Sequence, residues 1–155
     1  MATEIERKFL VDRLPDLSEA TATQIRQGYV THPDDSCEVR LRQRGDRYLA
    51  TIKSGSGLVR GEYEAEIGRE AFEILWAGIM GHISKVRHTG PLPGGLMYEL
   101  DIYQGPQAPL VTVEVEFTSV SEARAFRPPA WFGREVTGQR AYSNRVMAIG
   151  ETNAA

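Results

Sequence analysis

The sequence predicts an α+β fold dominated by one antiparallel sheet that can close into a barrel, with a few helices on its flanks. Three observations predict it. Apolar and charged residues alternate with period two in eight short stretches, the mark of strands whose two faces differ chemically. Tight turns separate most of these stretches, as in an antiparallel meander. Helical spacing of apolar residues appears in only three segments, too few for an alternating parallel chain.

The elements follow in order. Residues 4–11 open the chain as a strand, with Ile5 and Phe9 on one face. Residues 24–31 form the second, and Pro33-Asp34-Asp35-Ser36 supplies a turn. Residues 37–44 and 47–53 flank a Gly45-Asp46 turn, and Ser54-Gly55-Ser56-Gly57 leads as a flexible hairpin into the strand 59–67. Phe72, Leu75, Trp76 and Ile79 recur at helical spacing, which predicts a helix over 69–80 with Trp76 in its packed face. Strands at 83–88, 96–103 and 110–117 come next, the first two separated by the turn-rich Gly90-Pro91-Leu92-Pro93-Gly94-Gly95. A short helix is expected over 121–126, capped by Ser121 and stopped by Pro128-Pro129. The amphipathic stretch 141–149 reads as a C-terminal helix, and 151–155 as a frayed tail.

Composition narrows the function. The 155 residues carry 18 Lys and Arg against 21 Asp and Glu, a formal charge of −3. That balance lacks the basic excess of a general nucleic-acid or membrane-surface binder. At 41% hydrophobic and 25% charged, residues 1–150 read as a single folded soluble domain. The lone Cys37 excludes an internal disulfide and suits a reducing compartment. No apolar run approaches the ~20 residues that span a bilayer, and MATEIERKF lacks the apolar stretch of a signal peptide. A cytoplasmic protein without nucleic-acid or membrane partners is expected. His32, His82 and His88 show no zinc-ligand spacing and are expected at the surface or in loops.

The charged faces of the strands carry more information. Glu4, Glu6 and Lys8 share one face of the first strand; Arg40, Arg42 and Arg44 share one of the third. Lys53 shares its face with Thr51, opposite Ile52, while Arg60, Glu62, Glu64 and Glu66 line the next strand. Lys85 and Arg87, Glu99 and Asp101, and Glu114 and Glu116 complete the set. An open sheet with one solvated face also alternates, but such a face usually mixes in Thr, Ser and Gln. Here charge fills nearly every position of that parity, in like-sign blocks. Like charges two apart on a strand lie about 6.5–7 Å apart and repel unless an opposite charge stands between them. The pairs Glu4/Glu6 and Glu114/Glu116 therefore call for a hard divalent cation, Mg²⁺ or Mn²⁺. Arg40/Arg42, Lys85/Arg87, Lys8 and Lys53 call for a polyanion. Together they predict a charged pocket or tunnel that takes a compact phosphorylated ligand with a metal.

These same residues carry a resemblance. Glu4-Ile5-Glu6-Arg7-Lys8 resembles the ExExK signature of the CYTH domain, the triphosphate tunnel metalloenzyme superfamily. Val39-Arg40-Leu41-Arg42 resembles its RxR strand, Thr51-Ile52-Lys53-Ser54-Gly55 its lysine strand, and Arg60-Gly61-Glu62-Tyr63-Glu64 its RxExE strand. Ser84-Lys85-Val86-Arg87, Tyr98 to Tyr103 and Val113-Glu114-Val115-Glu116-Phe117 resemble its KxR, acidic and ExE strands. Gly133-Arg134-Glu135-Val136-Thr137 and Tyr142-Ser143-Asn144 are similar to its closing motif.

The resemblance implies an eight-stranded antiparallel barrel with a charged tunnel. It implies Glu4, Glu6 and Glu116 as metal ligands with Glu114 assisting. Lys8, Arg40, Arg42, Lys53, Lys85 and Arg87 would grip phosphate oxygens. Glu62 and Glu64 would position the basic side chains or assist a second metal, and with Lys8, Arg40 and Arg42 make up the implied catalytic set. Arg44, Arg60, Glu66, Glu99 and Asp101 would stand in the tunnel wall. The reaction implied is metal-assisted hydrolysis of a triphosphate, inorganic tripolyphosphate first, since little of the chain lies outside the barrel to recognise an organic group. Alternatives on the same fold are a class IV-type adenylyl cyclase, a nucleoside or thiamine triphosphatase, and a non-catalytic polyphosphate-binding module. Against the cyclase, the His-Phe often found before the paired glutamates is replaced here by Met1-Ala2-Thr3. A thiamine site would need an aromatic stacking partner such as Trp76 or Trp131. Apolar outward strand faces need cover from the helices or from a second copy, which leaves room for a homodimer.

Overall fold

The structure, a computed structural model, describes residues 2–55 and 58–150. Eight strands, β1 (Ala2–Leu10), β2 (Thr21–Tyr29), β3 (Cys37–Arg44), β4 (Arg47–Ser54), β5 (Val59–Glu66), β6 (Gly81–Pro91), β7 (Met97–Gln104) and β8 (Val111–Glu116), close into one barrel. Their order around it is β1-β5-β4-β3-β2-β6-β7-β8, and every pairing is antiparallel. β1 is shared: Ala2–Ile5 pairs with β5 and Glu6–Leu10 with β8. Gly45, with φ of 59°, supplies the first central residue of the two-residue β3–β4 hairpin, a conformation that matches the twist of the strands. The hairpin residues 56 and 57 and the tail 151–155 lie outside the described residues.

The barrel inverts the usual distribution of polarity. Glu4, Gln27, Arg40, Arg42, Thr51, Lys53, Lys85, Arg87, Asp101 and Thr112 are buried on its inner face. The main apolar cluster lies outside, where Ile5, Phe9, Val113, Val115 and Leu100 meet Ala123, Phe126 and Phe132. Because strand side chains alternate faces, one parity can build an apolar shell while the other lines a charged lumen. Helix α1 (Arg69–Trp76) covers another part of the shell through Phe72, which is fully buried against Tyr48 at a ring separation of 4.9 Å. Ile52, Val59 and Tyr63 on the outer face of β4 and β5 remain 47%, 44% and 61% exposed, so the helices cover only part of that shell. Among the described residues no helix is long and apolar enough to cross a membrane.

Three helices differ from the sequence reading in their bounds. α1 stops at Trp76 instead of running to residue 80. The turn beyond it tightens, with Gly78 and Ile79 amides donating to Leu75 and Trp76 carbonyls. That brings Ile79 down onto Gly28, where a Cβ would meet it at 2.5 Å. Helix α2 (Val120–Ala125) is capped by Ser119, whose Oγ accepts from the Glu122 amide at 3.1 Å, so Ser121 lies inside the helix. Glu122 Oε1 in turn accepts from the Thr118 amide at 3.3 Å, an arrangement close to a capping box that favours the earlier serine. The expected helix over 141–149 splits into a 3₁₀ turn, Arg140–Tyr142, and α3 (Asn144–Ile149), because Ser143 caps α3 through the Val146 amide.

The segment 133–150 runs across one end of the barrel. Residues 133–136 pair with β1: the Gly133 amide donates to the Leu10 carbonyl at 2.7 Å, the Leu10 amide to the Arg134 carbonyl at 2.9 Å, and the Val136 amide to the Lys8 carbonyl at 2.8 Å. Arg140 then pairs with Asp34, and Arg145 donates to the Cys37 and Pro33 carbonyls at 2.9 and 3.0 Å, clasping the β2–β3 turn. α3 finishes on β6, so close that a Cβ on Gly81 would stand 2.1 Å from the Ala148 carbonyl oxygen. Arg7, pointing outward between Glu6 and Lys8, anchors this segment through two bonds to Glu135, at 2.9 and 2.7 Å. The Arg7 guanidinium holds the Glu135 carboxyl below its ordinary range.

Candidate active site

Inside the barrel lies a cavity of about 480 Å³. Strand alternation brings fourteen of the charged residues singled out above to its wall: Glu4, Glu6, Lys8, Arg40, Arg42, Arg44, Lys53, Arg60, Glu62, Glu64, Arg87, Glu99, Glu114 and Glu116. Three are placed elsewhere. Lys85 and Asp101 are fully buried beneath the wall, and Glu66 turns outward to Arg47 at 3.3 Å. Lys85 differs most from expectation: its ammonium rests on Asp101 at 2.6 Å, below Arg87, and does not line the cavity.

The register sets the acids against one another. Glu6 lies directly across from Glu116, and Glu99 from Glu114. Like charges in facing positions repel. Burial and the neighbouring charges of Glu114 and Glu4 push the Glu6 carboxyl well above its ordinary range. Burial together with Glu4 and Glu62 also raises Glu116, and burial with Glu4 raises Glu62. Glu4 goes the other way: burial opposes its charge, but Lys53 at 3.0 Å outweighs it and the carboxyl stays below the usual range. Burial likewise opposes Glu114, which Lys8, Arg87 and Lys85 nevertheless hold down to about 2.

The bases sit deeper than most of the acids. Arg40, Arg42 and Arg87 are 5%, 7% and 5% exposed, whereas the Glu64 side chain is 39% exposed. Arg87 is clamped in bidentate fashion by Asp101 at 2.8 and 2.9 Å and by Glu99 at 2.7 Å. Arg40 reaches Thr51 Oγ1 at 3.3 Å and Glu64 at 3.8 Å, and Thr51 donates to the same Glu64 at 2.9 Å. Lys8 donates to the Tyr142 carbonyl at 2.5 Å and lies 3.7 Å from Glu114. Arg42 finds only the amide oxygen of Gln27 among the described residues, at 3.0 and 2.8 Å.

The donor set fits a hard divalent cation. Glu4, Glu6, Glu114 and Glu116 offer carboxylate oxygens alone, the ligands such ions prefer. Their mutual repulsion, which raises Glu6 and Glu116, is what a cation between them would relieve. Among the described residues no three acidic, histidine or cysteine side chains have closed to ligand spacing, since Glu4 is turned onto Lys53.

Several lining residues escape a search by charge parity. Tyr29 lines the wall, with Gln27 behind it on the same face of β2, but that face also carries Ile25 while Arg26 lies opposite, so charge points to the wrong side. Glu38 belongs to the parity of Arg40 and could have been found by extending it; it pairs with Arg60 at 3.6 Å and Arg145 at 3.8 Å. Arg140 and Arg145 reach the cavity from the C-terminal segment, where no strand period exists. Trp76 stacks on Phe72 at 5.2 Å and Trp131 meets Phe132 edge-on at 4.5 Å, both outside the barrel.

Comparison with known proteins is consistent along the chain. The family model for the CYTH domain matches residues 2–126. An inorganic triphosphatase of Nitrosomonas europaea is 51% identical over 148 residues, which cover 95% of this chain and 97% of the relative. An inorganic triphosphatase of Acetivibrio thermocellus is 38% identical over 147 residues, covering 93% and 92% respectively. A crystal structure of an inorganic triphosphatase superposes with a TM-score of 0.72 at 47% identity, covering 99% of both chains.

Proposed function

Because the chain belongs to the CYTH domain family, we propose that it is a metal-dependent triphosphatase that cleaves inorganic tripolyphosphate to pyrophosphate and phosphate. The observation that carries this reading is the division of the cavity wall. Buried guanidiniums at Arg40, Arg42 and Arg87 share one lumen with mutually repelling carboxylates at Glu6, Glu62 and Glu116. A metal-bound oligophosphate supplies both missing counter-charges at once.

Each residue then has a role set by its surroundings. Lys8, Arg40, Arg42, Lys53 and Arg87 bind phosphate oxygens, the arginines by the forked geometry that suits them to phosphate. Asp101 and Glu99 hold Arg87 in place, and Lys85 braces Asp101 from beneath. Glu64 orients Arg40 through Thr51, and Glu62 lies across from Lys53 in the β4–β5 register. Glu4, Glu6 and Glu116, helped by Glu114, would hold the ion, Mg²⁺ or Mn²⁺. When bound, such an ion neutralises charge that develops on bridging and terminal phosphate oxygens. The clasped segment 133–150 shields the lumen at one end, and a pre-set array of charges costs no reorganisation as the reaction proceeds.

Inorganic triphosphate is favoured over an organic one by what the wall lacks. Among the described residues its aromatic side chains are Tyr29 and Tyr142, and neither tryptophan reaches it. The names of the relatives at 51% and 38% identity support the same substrate. The test is phosphate release from tripolyphosphate, ATP and thiamine triphosphate, together with cyclic AMP formation, with and without Mg²⁺ and Mn²⁺. Turnover of tripolyphosphate that requires the metal is expected. Preference for ATP, or turnover unaffected by EDTA, would overturn the reading.

A further inference from the structure

Arg42 stands apart from the other buried bases. Lys53 has Glu4 at 3.0 Å, Lys85 and Arg87 share Asp101, and Arg40 has Glu64 at 3.8 Å. Arg42 meets no carboxylate among the described residues. Its Nε and Nη2 both donate to Oε1 of Gln27, at 3.0 and 2.8 Å. Gln27 is fully buried, and its Nε2 donates to the Tyr29 hydroxyl at 2.6 Å. The amide is thereby held with its oxygen toward Arg42 and its NH₂ group toward Tyr29. Gln27 does not itself line the cavity, whereas Arg42 does.

A buried cation is costly unless an opposite charge accompanies it. Burial, with Arg40 and Arg87 nearby, pushes the Arg42 guanidinium down to about 9, which still leaves it charged at neutral pH. The fork has two of its donors spent on Gln27, and the Nη1 edge remains for an incoming oxygen anion. A glutamate at position 27 would hold the fork equally well but would cancel its charge.

We propose that Gln27 is a positioning residue that aims Arg42 into the cavity while leaving its charge for the phosphate to neutralise. The inference rests on the phosphate-binding reading of the cavity and adds to it a reason for the neutral side chain behind the wall.

Gln27→Glu isolates the charge. It keeps the length of the side chain and the acceptor for Arg42, and Tyr29 can donate its hydroxyl proton where it now accepts. Gln27→Leu is the complement, neutral but without hydrogen bonds. Tripolyphosphate binding is measured by calorimetry in EDTA, alongside KM, kcat and thermal unfolding in Mg²⁺. The Glu variant is expected to keep its melting temperature yet to bind tripolyphosphate about tenfold more weakly or worse, with the loss appearing in KM more than in kcat. The Leu variant is expected to melt lower than wild type but to bind more tightly than the Glu variant. Wild-type affinity in the Glu variant, or weaker binding by Leu than by Glu, would assign Gln27 a merely structural role. If wild type binds tripolyphosphate without cleaving it, the hydrolase reading falls while the calorimetric comparison still decides the role of Gln27. If wild type does not bind it, the inference falls as well.

Discussion

Replacing Lys53 by methionine removes one charge and little volume from a place where charge matters most. Glu4 and Lys53 lie 3.0 Å apart with side chains 8% and 7% exposed. Without the ammonium, Glu4 faces Glu6, Glu62, Glu114 and Glu116 with no cation of its own. If it stays ionised, breaking the buried pair costs about 3–5 kcal/mol. If it takes up a proton instead, protonating an ordinary carboxyl (about 4.3) at an assay pH of about 7.5 costs roughly 4 kcal/mol at 1.36 kcal/mol per pKa unit. The two routes agree at about 4 kcal/mol, a fall of about 8–16 °C in melting temperature for a chain this size. A divalent cation supplies the lost charge, so Mg²⁺ should restore much of the loss while raising wild type less. The assay is thermal unfolding of Lys53→Met and wild type in EDTA and in Mg²⁺, with phosphate release measured in parallel. Tripolyphosphate turnover should be lost in the variant even where Mg²⁺ restores its stability. Glu4→Gln with Lys53→Met should melt well above Lys53→Met alone. A single variant melting within about 2 °C of wild type in EDTA, or an equal Mg²⁺ shift in both proteins, would refute the reasoning.

Three further outcomes are expected. Glu6→Ala should abolish metal-dependent phosphate release while raising the melting temperature in EDTA, because it relieves repulsion from Glu114 and Glu4; full turnover at saturating Mg²⁺ would contradict the ligand assignment. Gly81→Ala should cost about 1–3 kcal/mol and lower turnover, since its Cβ would meet the Ala148 carbonyl oxygen at 2.1 Å and lift α3 from the barrel. Unchanged melting and turnover would show that α3 yields freely. The pH dependence of stability should carry the mark of Lys85. Burial, with Arg87 and Arg42, lowers its ammonium from 10.5 to about 7 despite Asp101, so between those values the unfolded chain holds a proton that the folded chain lacks. Stability then rises with pH across that window. Denaturant titrations from pH 7 to 9.5 should show a steeper rise in wild type than in Lys85→Met, and equal slopes would argue against the shift.

Most of the barrel could be read before folding because a strand writes its two faces into alternate residues. The β3 bounds, 37–44, coincide with the structure, and the parity of Glu4, Glu6 and Lys8 or of Arg40 and Arg42 carries straight to the lumen. Where a face mixes chemistry, the signal fails: Ile25, Gln27 and Tyr29 share an inner face with no formal charge, so β2 contributes residues that no count of charges would find. Helix ends were harder, since Ser119 and Ser121 are equally good caps in isolation and only the return bond from Glu122 separates them.

The sequence by itself determined which residues are polar within an apolar shell, and hence that acids and bases of these strands face a common interior. Period two follows from backbone geometry alone and needs no knowledge of distant neighbours. Depth and pairing were decided by the tertiary structure. Lys85 and Arg87 alternate identically, yet one is sealed under Asp101 and the other lines the cavity. Arg140 and Arg145 enter it from a segment with no strand period, held there by Asp34, Pro33 and Cys37 more than 100 residues away. Such placements depend on how far each strand leans into a closed barrel and on which chain crosses its end, and both are set by contacts between residues remote in sequence.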